Sequence, residues 1–201
     1  ERNLAEEFGV SRLLVRQAIH RLAQLGLVSV RQGGATVVAD PDLCDHPEVG
    51  VLALRFGPDT AQQIRALRER QIAGGLSLLL LAGRRFGDDD AKALRTLVDT
   101  YDKDPNSGAE QSFWIYLADL TANGFFQRET RYWFRVVNEN AQLRKRSHLP
   151  HAARVAGYRS LVDRLEAKRG VLEAYAQMAD ALSSVSTTTP TSLLSRSRPT
   201  S

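Results

Sequence analysis

Four arginines, Arg12, Arg16, Arg21 and Arg31, stand between Phe8 and Ala39 with no aspartate or glutamate among them. A guanidinium is a planar fork of donors that matches a phosphate or the edge of a guanine. Arg12 and Arg16 are four residues apart, so on a helix they share one face. Their chemistry is that of a polyanion reader, although two arginines alone describe a solvated helix face equally well. Other reactive residues have plainer explanations. Cys44 has no paired base beside it. Asp88, Asp89 and Asp90 sit where a helix begins, and capping accounts for them. Gly33-Gly34 reads as a hairpin tip and not as a phosphate-binding loop. His148 and His151 flank Pro150 without an acidic or cysteine partner, the pattern of a surface turn. No catalytic constellation, cofactor or metal site is expected, and the chain does not read as an enzyme.

The arginines acquire meaning from the elements that must hold them. Ser11 is a good N-cap, because its hydroxyl accepts a free N–H of the following turn. Leu14, Val15, Ala18, Ile19, Leu22 and Leu25 then recur at helical spacing and give one apolar face. Gly26 ends that helix as a C-terminal glycine does. Upstream, Leu4, Ala5 and Phe8 form a shorter apolar face, and Gly9 makes the turn between the two. Val28 and Val30 alternate with Ser29 and Arg31, Gln32-Gly33-Gly34 turns, and Thr36, Val37 and Val38 return as a second strand. Helix, tight turn, helix and hairpin is the arrangement that sets a second helix into a major groove.

Residues 1–38, ER-x-LAEEFGVSR-x-x-VRQAIHRLAQLGLV-x-x-RQGG-x-x-V, resemble the winged-helix domain of the GntR family of bacterial transcription regulators. The resemblance implies DNA contacts by Arg2, by Ser11, Arg12, Leu13 and Arg16 at the start of the reading helix, and by Gln32, Gly33 and Gly34 at the wing tip. Leu13 departs from the small polar residue often found at its position. The family's first helix has no counterpart here, so the chain is expected to start inside the domain.

Length and composition suit two domains. The chain has 201 residues, 43% hydrophobic and 25% charged, with a net charge of +4 and a pI near 9.5; such values are ordinary for globular chains and favour a polyanionic partner. A single cysteine cannot form an internal disulfide. The run Leu76–Ala82 is far short of the ~20 residues a bilayer requires, so no membrane span and a cytoplasmic location are expected. Residues 1–40 form the DNA-binding domain, and Asp40-Pro41-Asp42 and His46-Pro47 open a linker over 41–58, with Val49–Phe56 a short connecting helix. Residues 59–185 read as an all-α domain for effector binding and dimerisation. It holds six or seven helices: 60 to about 86, one from Asp88, then about 109–122, 125–146, 151–168 and 170–183. Leu76–Leu81 is apolar on every side and is expected inside the bundle. From Ser183 to Ser201 twelve residues are Ser or Thr and none is acidic. Such a stretch cannot offset its ordering entropy, so 186–201 reads as a disordered tail. The fold class is mainly α, a winged helix-turn-helix followed by a helical bundle.

The second half carries a weaker likeness. Glu110-Gln111-Ser112-Phe113-Trp114, Leu117-Ala118 and Thr121-Ala122-Asn123 resemble a segment of the ligand domain in a large GntR subgroup, where an aspartate and three histidines hold a metal. Glu110 stands at the aspartate, Trp114 at one histidine, and Tyr158 and Asp180 near the other two. An indole cannot ligate, so the metal site reads as lost. The pattern is closer to the FadR-like branch, and that resemblance implies a metal-free bundle that takes fatty acyl-CoA. Trp114, Tyr116, Phe125, Phe126, Tyr132, Trp133 and Phe134 supply aromatic surface for an apolar ligand or for plain core packing. Between Arg128 and Arg169 there are eleven basic and four acidic residues. Arg68, Trp114, Tyr116, Asn123, Arg131, Trp133, Arg135 and Tyr158 are the candidate effector contacts. The expected protein is a homodimeric repressor of operator DNA, released by a small-molecule effector. Sensing of a small carboxylate or sugar acid, and a non-sensing architectural protein, are the alternatives.

Overall fold

The computed structural model describes residues 1–31, 34–140, 143 and 149–183. Gln32 and Gly33 of the wing tip, His148 and the tail 186–201 lie outside the described residues. The chain divides into two compact units, Glu1–Arg68 and Glu69 onward. Residues 41–58 thus belong to the first unit, and the division falls inside a long helix.

In the first unit, α1 spans Arg2–Phe8 and closes on Gly9, whose left-handed φ of 64° only glycine adopts without penalty. Ser11 then caps α2, Arg12–Gln24, its hydroxyl accepting the Leu14 N–H at 3.2 Å. Gly26 at φ 78° ends that helix, and Leu27 N–H returns to the Leu22 carbonyl at 2.9 Å. β1, Val28–Val30, pairs antiparallel with β2, Thr36–Val38, in the register Val28 opposite Val38. A 3-10 turn, Pro41–Leu43, leads to α3, Pro47–Phe56, where the expected linker stood. The apolar face of α2 is only partly covered. Val15 and Leu25 are buried, whereas Leu14 and Leu22 remain 52% and 37% exposed, because α1 and β1 pack on only part of the face.

α4, Thr60–Gly83, begins at Asp59, whose carboxylate accepts the Gln62 N–H at 2.9 Å. It stops three residues short of the expected Phe86. The second unit continues with α5, Asp88–Lys103, α6, Ala109–Leu120, α7, Gly124–Glu139, α8, His151–Glu166, and α9, Val171–Ser183. Asp90 accepts the Gly87 N–H at 2.8 Å, the cap expected of the acidic run. α5 packs on α6 and α8, α8 on α9, and α6 on α7. Leu79, Leu94, Val98, Phe113, Leu117, Leu161 and Leu165 form the core of this all-α bundle. The Leu76–Leu81 run is not enclosed all round. Leu78 and Leu79 point inward, but Leu80 is 50% exposed, because α4 lies on the outside of the core and must keep one face open. Gly75 is needed where α4 meets α9, since a Cβ there would lie 2.1 Å from the Tyr175 hydroxyl. Among the described residues no helix is long and apolar enough to cross a membrane.

Candidate nucleic-acid interface and the bundle interior

The Ser11 cap starts α2 abruptly, and this sets the phase of every side chain after it. With Val15 turned inward, Arg12, Leu13, Arg16, Gln17 and His20 are all exposed. Gln17 and His20 are potential base contacts that the arginine-centred reading passed over. The signal was present, because they stand four and seven residues after Leu13 and so share its face. The arginines differ in what already engages them. Arg16 donates to the Glu1 carboxylate, Nη2 to Oε2 at 3.0 Å, and that contact raises the guanidinium pKa and lowers that of Glu1. Arg2 pairs with Glu6 at 2.9 Å, and Arg21 pairs with Glu48. Arg12 makes no ion pair among the described residues. These pairs are exposed, so each is a weak, exchangeable hold on a cation that phosphate can take over. Of the wing-tip trio only Gly34 is described, its N–H donating to the Arg31 carbonyl at 3.0 Å.

The bundle interior holds a polar cluster that the sequence reading saw only in part. Glu110, at the start of α6, is ion-paired to Arg154 of α8. The Tyr158 hydroxyl donates to the same carboxylate oxygen at 2.7 Å, and the Trp114 indole N–H donates to Tyr158 at 3.3 Å. The Arg154 guanidinium lies 5.4 Å from the Tyr101 ring centre. Arg154 and Glu110 side chains are only 11% and 15% exposed. Burial opposes the charge of Arg154, yet the field of Glu110 and its hydrogen bond leave the guanidinium pKa raised. Burial, then the charge of Glu110, pushes the Tyr158 phenol well above its ordinary value. The carboxylate that the family resemblance places on a metal is here engaged by a guanidinium and a phenol. Asp180 is exposed on α9.

The candidate effector residues are not gathered into one site. Trp114 and Tyr158 meet in the cluster above and pack edge to face. Tyr116 donates to Asp90 at 2.7 Å, and burial followed by that bond pushes its phenol up to about 12. Asn123 caps α7, its carbonyl oxygen accepting the Phe125 N–H at 2.9 Å. Arg131 is bound to both Asp119 oxygens at 2.8 Å. Arg135 is exposed, Trp133 is half-buried against Tyr132, and Arg68 ends the first unit. A groove of about 340 Å³ lies elsewhere in the bundle, between the C-terminal end of α4 and the α8–α9 junction. Its apolar walls include Leu79, Leu165, Val171 and Leu172, and Arg84, Lys168 and Arg169 also line it.

Known proteins carry the same pattern. Residues 1–38 match the model for bacterial regulatory proteins of the gntR family. The chain is 30% identical over 171 residues to the HTH-type transcriptional regulator Mce2R of Mycobacterium tuberculosis, covering 81% of this chain and 70% of that protein. It is 36% identical over 113 residues to an uncharacterised HTH-type transcriptional regulator of M. tuberculosis, Rv0494, covering 56% of this chain and 46% of that one; the match thus spans under half of that relative. A solved structure, Streptococcus agalactiae GntR, shares the fold with a TM-score of 0.50 and 22% identity, over 92% of this chain and 85% of that one. The winged helix-turn-helix, the all-α bundle and these relatives together place the chain in the GntR family of bacterial regulatory proteins, a family of transcriptional regulators.

Proposed function

We propose that the protein is a cytoplasmic, homodimeric transcriptional repressor that binds double-stranded operator DNA and is released by a small amphipathic anion of the fatty acyl-CoA class. The observation that carries the DNA half is the reading face of α2, where arginine, glutamine and histidine stand exposed and no acid sits on the helix. A dimer would place two such helices about one helical turn of DNA apart, so a small rotation of one against the other breaks simultaneous contact. An effector acts on that equilibrium only through different affinity for the two arrangements.

The groove beside α4, α8 and α9 supports the effector class. Its leucines offer an apolar floor, and Arg84, Lys168 and Arg169 make no ion pair among the described residues. An acyl chain gains about 0.8 kcal/mol per buried methylene, and the cations suit a carboxylate or phosphate. The test is a gel shift on the promoter that the protein occupies in its host. Long-chain acyl-CoA should release the DNA, with potency rising with chain length, and lactate or gluconate should not. Release by a small acid alone would favour the carboxylate-sensing reading. A second reading, a non-sensing architectural protein, is favoured by the core itself, because Trp114 packs against both Tyr158 and Tyr175. It would gain if no acyl-CoA or acid changed either DNA affinity or thermal stability.

A further inference from the structure

Leu13 occupies the middle of the α2 reading face. At about 100° per residue it projects about 160° away from Val15, which faces the core. It is 65% exposed, and Arg16, Gln17 and His20 surround it on the same side, all exposed. Leu14 is also half-exposed, but it is turned about 100° back toward the packed side. A lone exposed leucine on an ordinary surface needs no explanation. This one stands in the first turn of the helix, two residues after the Ser11 cap and beside Arg12, the end that reaches base edges in helix-turn-helix docking. Its side chain has neither donor nor acceptor, so it recognises no hydrogen-bonding edge. Within the major groove the apolar feature that a base presents is the C5 methyl of thymine.

We propose that Leu13 is a specificity-determining residue that reads a thymine methyl in each operator half-site. The inference rests on the DNA-reading assignment of α2 and adds the base and the atom group it selects. Arg12 and Arg16, one turn apart beside Leu13, supply the charge that brings the helix in, and Leu13 converts that approach into a choice at one base pair. Thymine offers the leucine a methyl to bury, whereas cytosine carries only a hydrogen at that carbon and a purine presents its N7 acceptor.

The experiment selects binding sites from a randomised duplex library with the whole chain at fixed ionic strength. Each thymine of the enriched half-site is then replaced singly by deoxyuridine, which removes the methyl and nothing else. One position per half-site should lose about fourfold in affinity, the worth of burying one methyl-sized group. The Leu13→Ala variant, with an unchanged melting temperature, should bind thymine and uracil equally there. Silence at every thymine in the wild-type scan would overturn the proposal without any mutant, while leaving DNA binding intact. A uracil penalty that persists in Leu13→Ala would overturn it as well, by assigning the contact to another residue. A library from which no sequence is enriched would overturn the DNA-reading assignment itself, and the Leu13 reading with it.

Discussion

Single side chains on α2 and in the bundle interior differ chiefly in how dearly their charges are held. Among the described residues Arg12 has no carboxylate to leave, whereas Arg16 is held by Glu1 and, on the proposed reading, would have to give it up to meet DNA. Arg12→Ala should therefore weaken specific binding by about 1–3 kcal/mol, and Arg16→Ala by less. Glu1→Gln should strengthen binding, because it frees the Arg16 guanidinium. A salt-controlled gel-shift series checks all three, and tighter binding by Arg12→Ala would sink the reading. The Glu110–Arg154 pair is another kind of interaction, taken out of water and supported by Tyr158. Removing one partner strands the other charge, so Arg154→Met should cost roughly 3–5 kcal/mol in denaturant unfolding. Combining it with Glu110→Gln should recover much of that loss, since no buried charge then remains.

Elements depend on residues whose roles are local and separable. The Ser11 hydroxyl holds the first turn of α2 at 3.2 Å from the Leu14 nitrogen. Ser11→Ala should lose about 1 kcal/mol of stability and part of the DNA affinity. Ser11→Asp should keep the cap and still weaken DNA binding, because it sets a carboxylate among phosphates. Thermal melts alongside gel shifts distinguish the two variants, and wild-type DNA affinity in both would contradict the placement. On α4, Gly75 makes room for Tyr175, which packs 5.6 Å from Trp114 ring to ring. Gly75→Ala should cost about 1–3 kcal/mol by overpacking, and Tyr175→Leu in the same chain should recover part of it.

The molecule as a whole carries its acid–base signature in the bundle. Tyr116 and Tyr175 have phenols pushed up to about 12, each by burial first, and Tyr158 lies well above its ordinary value for the same leading reason. A folded-state pKa above the unfolded one means that the unfolded chain sheds its protons first. Above pH 10 the native state then binds more protons than the unfolded state, so stability falls as pH rises. The melting temperature should decline between about pH 10 and 12, the interval set by those shifts. Phenolate absorbance should show late-titrating tyrosines, one fewer in Tyr158→Phe. Ionisation of every tyrosine near pH 10 would contradict the buried placements. The first unit is expected to be indifferent to this range, since all three phenols lie in the second.

Short-range signals in the sequence determined a good deal of the architecture. Ser11, Gly9 and Gly26 punctuate α1 and α2 because caps and left-handed turns are decided within a few residues. The alternation Val28–Val30 and Thr36–Val38 marked both strands of the wing, and the acid run at Asp88 marked the start of α5. The start of α4 and the family of the first 38 residues were also legible. Tertiary structure decided the rest. Which parts of the α2 face stay exposed depends on what packs there, and no periodicity records that. Arg154 was passed over because its carboxylate lies 44 residues away on another helix, and an ion pair across helices leaves no spacing pattern. The same holds for Gly75, whose need for a missing Cβ arises only where α9 crosses it. The aromatic residues looked like a pocket lining in composition, but packing spread them among a core, a cap-side contact and a half-open face. Sequence specifies what each side chain can do; the crossing of helices far apart in the chain decides which of those capacities is spent inside the bundle and which, as on α2, is left facing outward.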